Sequence, residues 1–211
     1  MTKAELQSLT TEILDGFEMS QSLFDAFLDV AQTTREGERN WVSLRSSDAT
    51  QSLGASNTYT TAHTIPSTFA SWYATSPVVL TNASGARQEL QEIPIDKRDQ
   101  YKNDPNKFYC DYVNNKIYIC GTFSEAMTIN QYFKKEGTLV SADDANTWIF
   151  PDRYHKMLAF DIAVMHKLGI DYDVINNIQA NENASIANRL FKQMEEWDNE
   201  LQLSALNGQE Y

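Results

Sequence analysis

The sequence predicts an α+β protein in which a helical bundle, formed by N- and C-terminal helices, carries an inserted antiparallel β-meander domain. Three observations predict it: apolar residues recur at helical spacing near both ends, short strand-like runs fill the middle, and a polar segment lies between the first helices and those strands. We expect N-terminal helices over 1–45, a polar linker over 46–64, a β insertion over 65–140, C-terminal helices over 150–206 and a flexible tail over 207–211.

The N-terminal region contains two amphipathic patterns. The first covers residues 3–17, up to Phe17, and the second covers residues 23–31, each with apolar side chains three and four residues apart. Acidic and amide side chains occupy positions between them. These spacings predict two helices that pack antiparallel to each other.

The middle of the chain changes character twice. Over residues 46–64 the side chains are mostly those of Ser, Thr, Ala, Asn and Gln without apolar periodicity, which predicts a linker or a long loop. Downstream, short apolar runs are separated by Asn, Gly and Asp clusters, as in an antiparallel meander. The candidate strands are 78–81, 88–93, 108–113, 116–120 and 127–133.

Two cysteines, Cys110 and Cys120, lie on either side of a predicted hairpin turn at Asn114-Asn115. A two-residue turn would pair Cys110 with Ile119 and place Cys120 on the opposite face of the sheet. A disulfide would form only if the register shifted by one residue. We therefore expect free thiols, as in a reducing compartment.

Helical spacing returns over residues 151–168 and again over residues 173–206. Pro151 suits the first turn of a helix, and Gly169 suits its end. The last five residues, 207–211, are expected to be exposed and mobile unless a partner holds them.

The chain is strongly acidic, with 17 basic and 29 acidic side chains and a formal net charge of −12. No window contains a cluster of Lys and Arg that could neutralise phosphates, so direct wrapping of nucleic acid is not expected. An acidic surface still suits a protein that lets DNA pass, because like charge keeps the polymer from adhering. No run of 18 apolar residues occurs, so we expect no association with a membrane.

The motifs of common catalytic sites are missing from the sequence. His63, His155 and His166 have no metal-ligand spacing, and the glycines form no phosphate-binding loop. Asp171 and Asp173 could bind Ca²⁺ weakly, but acidic residues at a helix N-terminus are the more common explanation. We therefore predict that the protein is not an enzyme and has no catalytic residue, cofactor or metal.

Aromatic residues outside a core often mark interfaces. Trp72 and Tyr73 come shortly after the polar linker, and Tyr211 ends the sequence. These positions are difficult to place in a core, which makes Trp72, Tyr73 and Tyr211 candidate partner contacts.

Five short motifs follow one another along the chain. They are residues 41–44 (W-V-S-L), Tyr59 in the polar linker, and residues 65–69 (I-P-S-T-F), 131–133 (Q-Y-F) and 150–158 (F-P-D-R-Y-H-K-M-L). In this order they resemble the head-to-tail adaptor (connector, or portal-adaptor) proteins of tailed bacteriophages. The resemblance covers roughly residues 23–201. Ile65 stands where the family usually has Leu, and Ser67-Thr68 replace a more acidic pair.

The resemblance implies a structural protein of the virion neck, made in the host cytoplasm. It implies a subunit of a homo-oligomeric, twelvefold ring that docks under the portal protein and extends the DNA channel toward the tail. A tail or stopper protein would bind below the ring, and double-stranded DNA would pass through it without sequence-specific binding. The C-terminal segment, with Leu203, Leu206 and Tyr211, would be the arm that docks on the portal.

Three other functions use the same features differently. Another neck or tail-completion subunit would need the same α+β chain. A monomeric binding module would use the β-meander as its recognition surface. An enzyme would need a cleft that gathers His155 with a carboxylate and shifts a pKa.

Overall fold

The computed structural model describes residues 1–170 and 174–206. The chain divides into two compact units. The helical unit consists of Met1–Leu44 and Gly137–Tyr211, and the β unit consists of Arg45–Glu136. In the described part of the helical unit there are four α-helices: α1 (Lys3–Ile13), α2 (Gln21–Gly37), α3 (Asp152–Ile170) and α4 (Val174–Leu206).

Helix α1 begins at a capping box and is followed by a left-handed turn. The Thr2 hydroxyl accepts a hydrogen bond from the Glu5 amide, and the Glu5 carboxylate accepts one from the Thr2 amide at 2.8 Å. Asp15 and Gly16 have φ values of 56° and 87°, and the Gly16 amide donates to the Thr11 carbonyl at 2.9 Å. This is a typical glycine-terminated helix end. The predicted extension of the helix to Phe17 is therefore wrong.

The core of the helical unit forms around α3, which packs against α1, α2 and α4. Leu6, Phe24, Trp41 and Leu158 are completely buried there. The Trp41 indole N–H donates to the Arg35 carbonyl at 2.9 Å, so the polar atom of this large side chain is satisfied. Apolar burial and internal hydrogen bonding together stabilise this unit.

The β unit contains eight strands in one mixed, nearly closed sheet. They are β1 (Arg45–Leu53), β2 (Ala62–Thr64), β3 (Phe69–Trp72), β4 (Val78–Asn82), β5 (Arg87–Glu92), β6 (Lys107–Asp111), β7 (Lys116–Ile119) and β8 (Met127–Lys135). Their order is β1-β8-β4-β5-β6-β7-β2, with β3 also paired to β8. The Gln51 side chain links the outermost strands, since its NH₂ group donates to the Thr64 carbonyl at 2.5 Å and its oxygen accepts from the Thr64 amide at 2.6 Å.

The predicted fold class, a helical bundle with an inserted antiparallel β-meander, is wrong. Strands β5 and β6 run parallel, and β8 pairs with β1, β3 and β4 rather than with its sequence neighbour β7. A meander would pair each strand with the next one along the chain. The structure instead has a nearly closed barrel of mixed strands together with four described helices.

The predicted polar linker over 46–64 is also wrong, because this segment contains most of β1 and all of β2. Strand β1 pairs with β8 from Arg45↔Lys134 to Leu53↔Met127, with an irregularity between Asp48 and Gln51. Most of its side chains are polar, and within the strand only Leu53 is buried. Its strand conformation therefore depends on backbone pairing with a distant segment, which apolar periodicity does not reveal.

The hairpin between β6 and β7 is longer than predicted. Asp111 pairs with Lys116 and Cys110 pairs with Ile117, so four residues form the loop instead of two. Asn115 adopts the left-handed conformation in this loop, with φ at 53°. The predicted pairing of Cys110 with Ile119 is therefore wrong by two residues.

Candidate interaction surfaces

The net charge lies entirely on one of the two units. The β unit has nine basic and nine acidic side chains, whereas the segments 1–44 and 137–211 have eight basic and twenty acidic ones. The helical unit therefore carries the whole net charge of −12, and the β unit is formally neutral. The two units consequently differ in how they interact with a polyanion.

Lys3, Arg35 and Arg39, three of the few cations on the helical unit, are neutralised within it. The Lys3 ammonium lies 3.2 Å from Asp144 and 3.5 Å from Asp25. The side-chain hydrogen bond to Asp144 outweighs burial and raises the pKa of Lys3. Arg35 and Arg39 are paired in the same way with acidic side chains of this unit. These cations are therefore not available to a polyanion, and the excess of carboxylates remains.

Trp72, one of the predicted contacts, belongs to an aromatic surface cluster of the β unit that consists of Phe69, Trp72 and Tyr112. The rings of Phe69 and Trp72 are 4.5 Å apart, and the rings of Phe69 and Tyr112 are stacked at 6.2 Å. The Trp72 indole donates to the Tyr112 hydroxyl at 3.0 Å, and that hydroxyl donates to Glu92 at 2.8 Å. These bonds fix the rings in place, as in preorganised binding surfaces.

The hairpin loop between β6 and β7 begins with two large, exposed side chains. Tyr112 is 51% exposed, and the adjacent Val113 is 93% exposed. Together with the aromatic cluster, these side chains extend the apolar surface, and contiguous apolar surface is typical of interaction sites. Sequence periodicity alone does not single out either residue, because a two-residue turn at Asn114-Asn115 would place both inside a strand.

Tyr73 does not join the aromatic cluster. The Arg45 guanidinium lies over its ring, 5.3 Å from the centroid. Burial raises the pKa of Tyr73, and the positive charge of Arg45 partly opposes that effect. The structure thus separates the two neighbouring aromatics, and Tyr73 is occupied within the β unit.

The predicted C-terminal contacts lie at the end of α4 and beyond it. Leu203 is 60% exposed. Leu206 is the last residue of α4, its side chain lies outside the described residues, and so does all of Tyr211. Near Leu203 an open groove of about 340 Å³ is lined by Trp197, Glu200, Leu201 and Ser204. This helix end has the apolar exposure that a docking segment requires.

A cleft of about 280 Å³ lies on another surface of the β unit. The rings of Tyr109 and Tyr118 stack 4.8 Å apart, and the Tyr109 hydroxyl donates to the Tyr59 carbonyl at 2.7 Å. Burial raises the pKa of Tyr109 to about 12, although the charge of Arg98 opposes it. The described residues that line it are Tyr59, Thr60, Ile95, Arg98, Asp99, Tyr109, Asp111 and Tyr118.

The two cysteines are free and buried in different apolar clusters of the β unit. Cys110 belongs to the main cluster, and Cys120 packs with Ile93 and Tyr109. Burial raises the pKa of Cys110 to about 12 and that of Cys120 to about 11. Both thiols are therefore protonated near neutral pH and are poor nucleophiles.

His155 is the histidine that the enzymatic alternative requires. It is 1% exposed and lies 3.3 Å from Asp152, and burial lowers its pKa. One ring nitrogen is 2.5 Å from the Phe150 carbonyl, and the other is 2.8 Å from the Met1 amino group. Because both nitrogens are engaged and the ring is buried, His155 is not available to a substrate.

Among residues 1–170 and 174–206, no group of three or more His, Cys, Asp or Glu side chains is placed to hold a metal ion. In the same described segments, no helix is long and apolar enough to cross a bilayer. Neither the models of known protein families nor the sequences of curated proteins gave a match to this chain. Function must therefore be inferred from the surfaces described above and from the motif resemblance.

Proposed function

We propose that this protein is a non-catalytic subunit of a head-to-tail adaptor ring in a tailed-phage virion, docking under the portal and extending its DNA channel. The observation that carries the proposal is the charge division: all of the −12 lies on the helical unit and none on the β unit. A DNA channel needs a wall that does not hold phosphates, and a body rich in carboxylates provides one.

The range of this repulsion suits a channel. At about 0.1 M salt, charges act over roughly 10 Å before counterions screen them. Phosphates that come within about 10 Å of the wall are therefore repelled by its carboxylates. The ring also repeats the charge of each helical unit around the duplex, so the repulsion surrounds the DNA and favours sliding over binding.

Four of the motif residues that carry the family resemblance have structural roles here. Trp41, Ile65, Phe150 and Tyr154 are each at most 3% exposed. They pack in the interiors of the two units and are not available as contacts of an assembly. The exposed surfaces, namely the aromatic cluster with its hairpin loop and the end of α4, are the parts of the chain that suit neighbours in a virion neck.

A binding module is a second candidate function, and the tyrosine-lined cleft of the β unit favours it. Small-molecule sites commonly combine aromatic walls with a few polar groups, and Arg98 and Asp99 supply such groups here. This function requires a monomer that binds a small ligand and has no affinity for a portal. Solution mass and portal binding therefore separate the two candidates.

The first experiment is negative-stain imaging of the protein mixed with its candidate portal. A ring stacked on the portal is the expected result. The protein is imaged with the portal because such a ring can depend on the portal for its assembly. A monomer that shows no portal affinity contradicts the proposal.

The second experiment tests the charge argument with matched variants. Glu200→Lys reverses an exposed carboxylate on the helical unit, and Asp99→Lys reverses one on the β unit. We expect the helical-unit variant to slow DNA ejection from reconstituted particles and the β-unit variant to leave it unchanged. Equal ejection rates for both variants and the wild type contradict the role of the helical unit in the channel.

A further inference from the structure

The turn between α1 and α2 presents an apolar knob. Phe17 is 50% exposed, although it packs on the buried His166 ring with 4.6 Å between centroids. The left-handed Asp15 and Gly16 define the turn, and the Gly16 amide donates to the Thr11 carbonyl. The ring of Phe17 is thus held at the surface by a defined backbone conformation, and half of it faces solvent.

Three exposed carboxylates surround this knob in sequence: Glu12, Asp15 and Glu18. None of them has an ion-pair partner among the described residues. An apolar centre with a polar rim is the usual composition of a protein interface. The surface that receives it must therefore supply a recess for the ring and positive charge around it.

One face of helix α4 on the same unit carries an open, shallow groove with positive charge. It has a volume of about 570 Å³, and the described residues that line it are Asn181, Ala184, Ser185, Asn188, Arg189 and Lys192. Arg189 and Lys192 are exposed and have no ion-pair partner within the described segments. Arg153 and Lys156 on α3 are also exposed and make no ion pair within the described segments, but the Arg153 guanidinium packs over the Tyr154 ring, 4.8 Å from its centroid. Arg189 and Lys192 differ from that pair because they line a groove.

We infer that the Phe17 knob of one copy of this chain docks into the α4 groove of a second copy. The apolar ring enters beside the small side chains of Ala184 and Ser185, and the carboxylates around it meet Arg189 and Lys192. A second copy is the occupant because its own turn supplies both the ring and the complementary charge. This inference rests on the proposed ring.

The contact joins two different surfaces, so it is heterologous and each copy has both halves. Such head-to-tail contacts generate a closed ring when the rotation between neighbours divides a full turn. Phe17 does not fill the groove of its own chain, because its ring is held against His166. Each subunit therefore receives one neighbour and docks on another.

DNA is the alternative ligand for two exposed cations, and the charges around them argue against it. Glu182 and Glu196 are exposed on the same helix, seven residues before Arg189 and seven after it. Positions seven residues apart lie on nearly the same face of a helix. A phosphate backbone that runs along this face would meet carboxylates on both sides of the cations.

A crosslinking experiment tests the contact directly and leaves the Phe17 ring in place. One preparation of the full chain carries Glu18→Cys, a second carries Asn188→Cys, and a short bis-maleimide is added to each alone and to their mixture. The native Cys110 and Cys120 are buried and react poorly. We expect a crosslinked dimer only in the mixture. Ala4→Cys mixed with Asn188→Cys is the matched control, since Ala4 is an exposed small residue of the same unit at the opposite end of α1 from the turn, and no dimer is expected.

Charge reversal provides a second test that does not depend on crosslinker geometry. Glu12→Lys with Glu18→Lys, and separately Arg189→Glu with Lys192→Glu, should each weaken self-association roughly 10- to 100-fold in sedimentation velocity. The chain with all four substitutions should recover association close to that of the wild type. If these residues had only a structural role, the chain with all four substitutions would not regain association.

Each other outcome contradicts a defined part of this inference. A wild-type chain that stays monomeric with and without the portal overturns both the ring and this contact. A wild-type chain that assembles while the reversed variants assemble equally well, without a specific crosslink, overturns this contact alone. Normal assembly with loss of DNA affinity in the Arg189→Glu, Lys192→Glu variant assigns the cations to DNA and also overturns the contact.

Discussion

The buried ion pair between Arg35 on α2 and Asp161 on α3 allows a quantitative test of how the helical unit is held together. The Arg35 Nε donates to Asp161 Oδ2 at 2.8 Å, and its Nη2 donates to Oδ1 at 2.7 Å. The two side chains are 11% and 17% exposed. Burial lowers the pKa of Arg35, but the hydrogen bonds and charge of Asp161 outweigh it and raise the pKa.

We predict that Arg35→Met destabilises the helical unit by about 3 kcal/mol, because it leaves the Asp161 carboxylate buried without its partner. A loss near the upper limit of about 5 kcal/mol is not expected, since the nearby Glu38 carboxylate is one-third exposed and part of the site is hydrated. The double variant Arg35→Met, Asp161→Leu should lie within about 1 kcal/mol of the wild type, because it removes both charges and keeps the site apolar.

The assay is urea unfolding followed by tryptophan fluorescence in a Trp72→Phe background. The remaining tryptophans, Trp41, Trp148 and Trp197, all lie in the helical unit, so the signal reports that unit alone. Glu195→Gln, a partly exposed change on α4, is a control expected to cost less than about 1 kcal/mol. A double variant as unstable as Arg35→Met would refute the reasoning, since the loss could then not be attributed to the unpaired carboxylate.

Three further predictions concern single residues. Gly121→Ala should destabilise the β unit by about 2 kcal/mol or more, measured by urea unfolding, because φ is +81° and the new Cβ would lie 2.7 Å from Pro105. Burial lowers the pKa of His63. The stability that the neutral imidazole contributes is therefore fully present above about pH 6.5 and is lost as the pH falls through the folded-state pKa. His63→Gln should reduce the pH dependence of the free energy of unfolding. His166→Leu should stabilise the helical unit by about 1 kcal/mol in thermal unfolding, since both buried ring nitrogens have no hydrogen-bond partner within the described structure.

Local periodicity predicted the positions of helices better than it predicted their ends. The spacing over residues 151–168 predicted a helix, and the structure has α3 at Asp152–Ile170. The first helix ends at Ile13, four residues before the predicted end at Phe17. The Asp15-Gly16 pair was a readable stop signal, since glycine in the left-handed conformation commonly terminates a helix. Apolar spacing alone placed Phe17 on the buried face, whereas it is half exposed.

Strand pairing could not be predicted because the information is not local. Strand β1 is polar and becomes a strand through its partner β8, about eighty residues further along the chain. The parallel contact of β5 with β6 likewise depends on the chain between them, not on either strand pattern. The length of the hairpin loop was predicted wrongly for a related reason. Asn114-Asn115 suits a two-residue turn, but the loop has four residues.

Some features of the candidate surfaces could likewise be predicted from neighbouring residues, whereas others depend on residues far apart in the sequence. Trp72 could be selected because it is a large aromatic beside a polar segment, but its partner Tyr112 lies forty residues away. The pairing of Tyr73 with Arg45 depends on the fold of the β unit in the same way. The charge division is different, since every charge is visible in the sequence and only the boundaries of the units were needed to find it.

The uneven charge also limits how copies of this chain can associate. Two helical units that each carry −12 repel one another, so the proposed ring would be favoured by contacts in which cations of one copy meet carboxylates of the next. Salt should therefore act in two directions: at low concentrations it screens the general repulsion and favours assembly, and at high concentrations it weakens the specific contacts of Arg189 and Lys192. Apolar contacts such as that of Phe17 resist salt. In sedimentation velocity over a salt series, a ring of this chain should consequently be most stable at intermediate ionic strength, whereas assembly through the neutral β unit alone would depend little on salt.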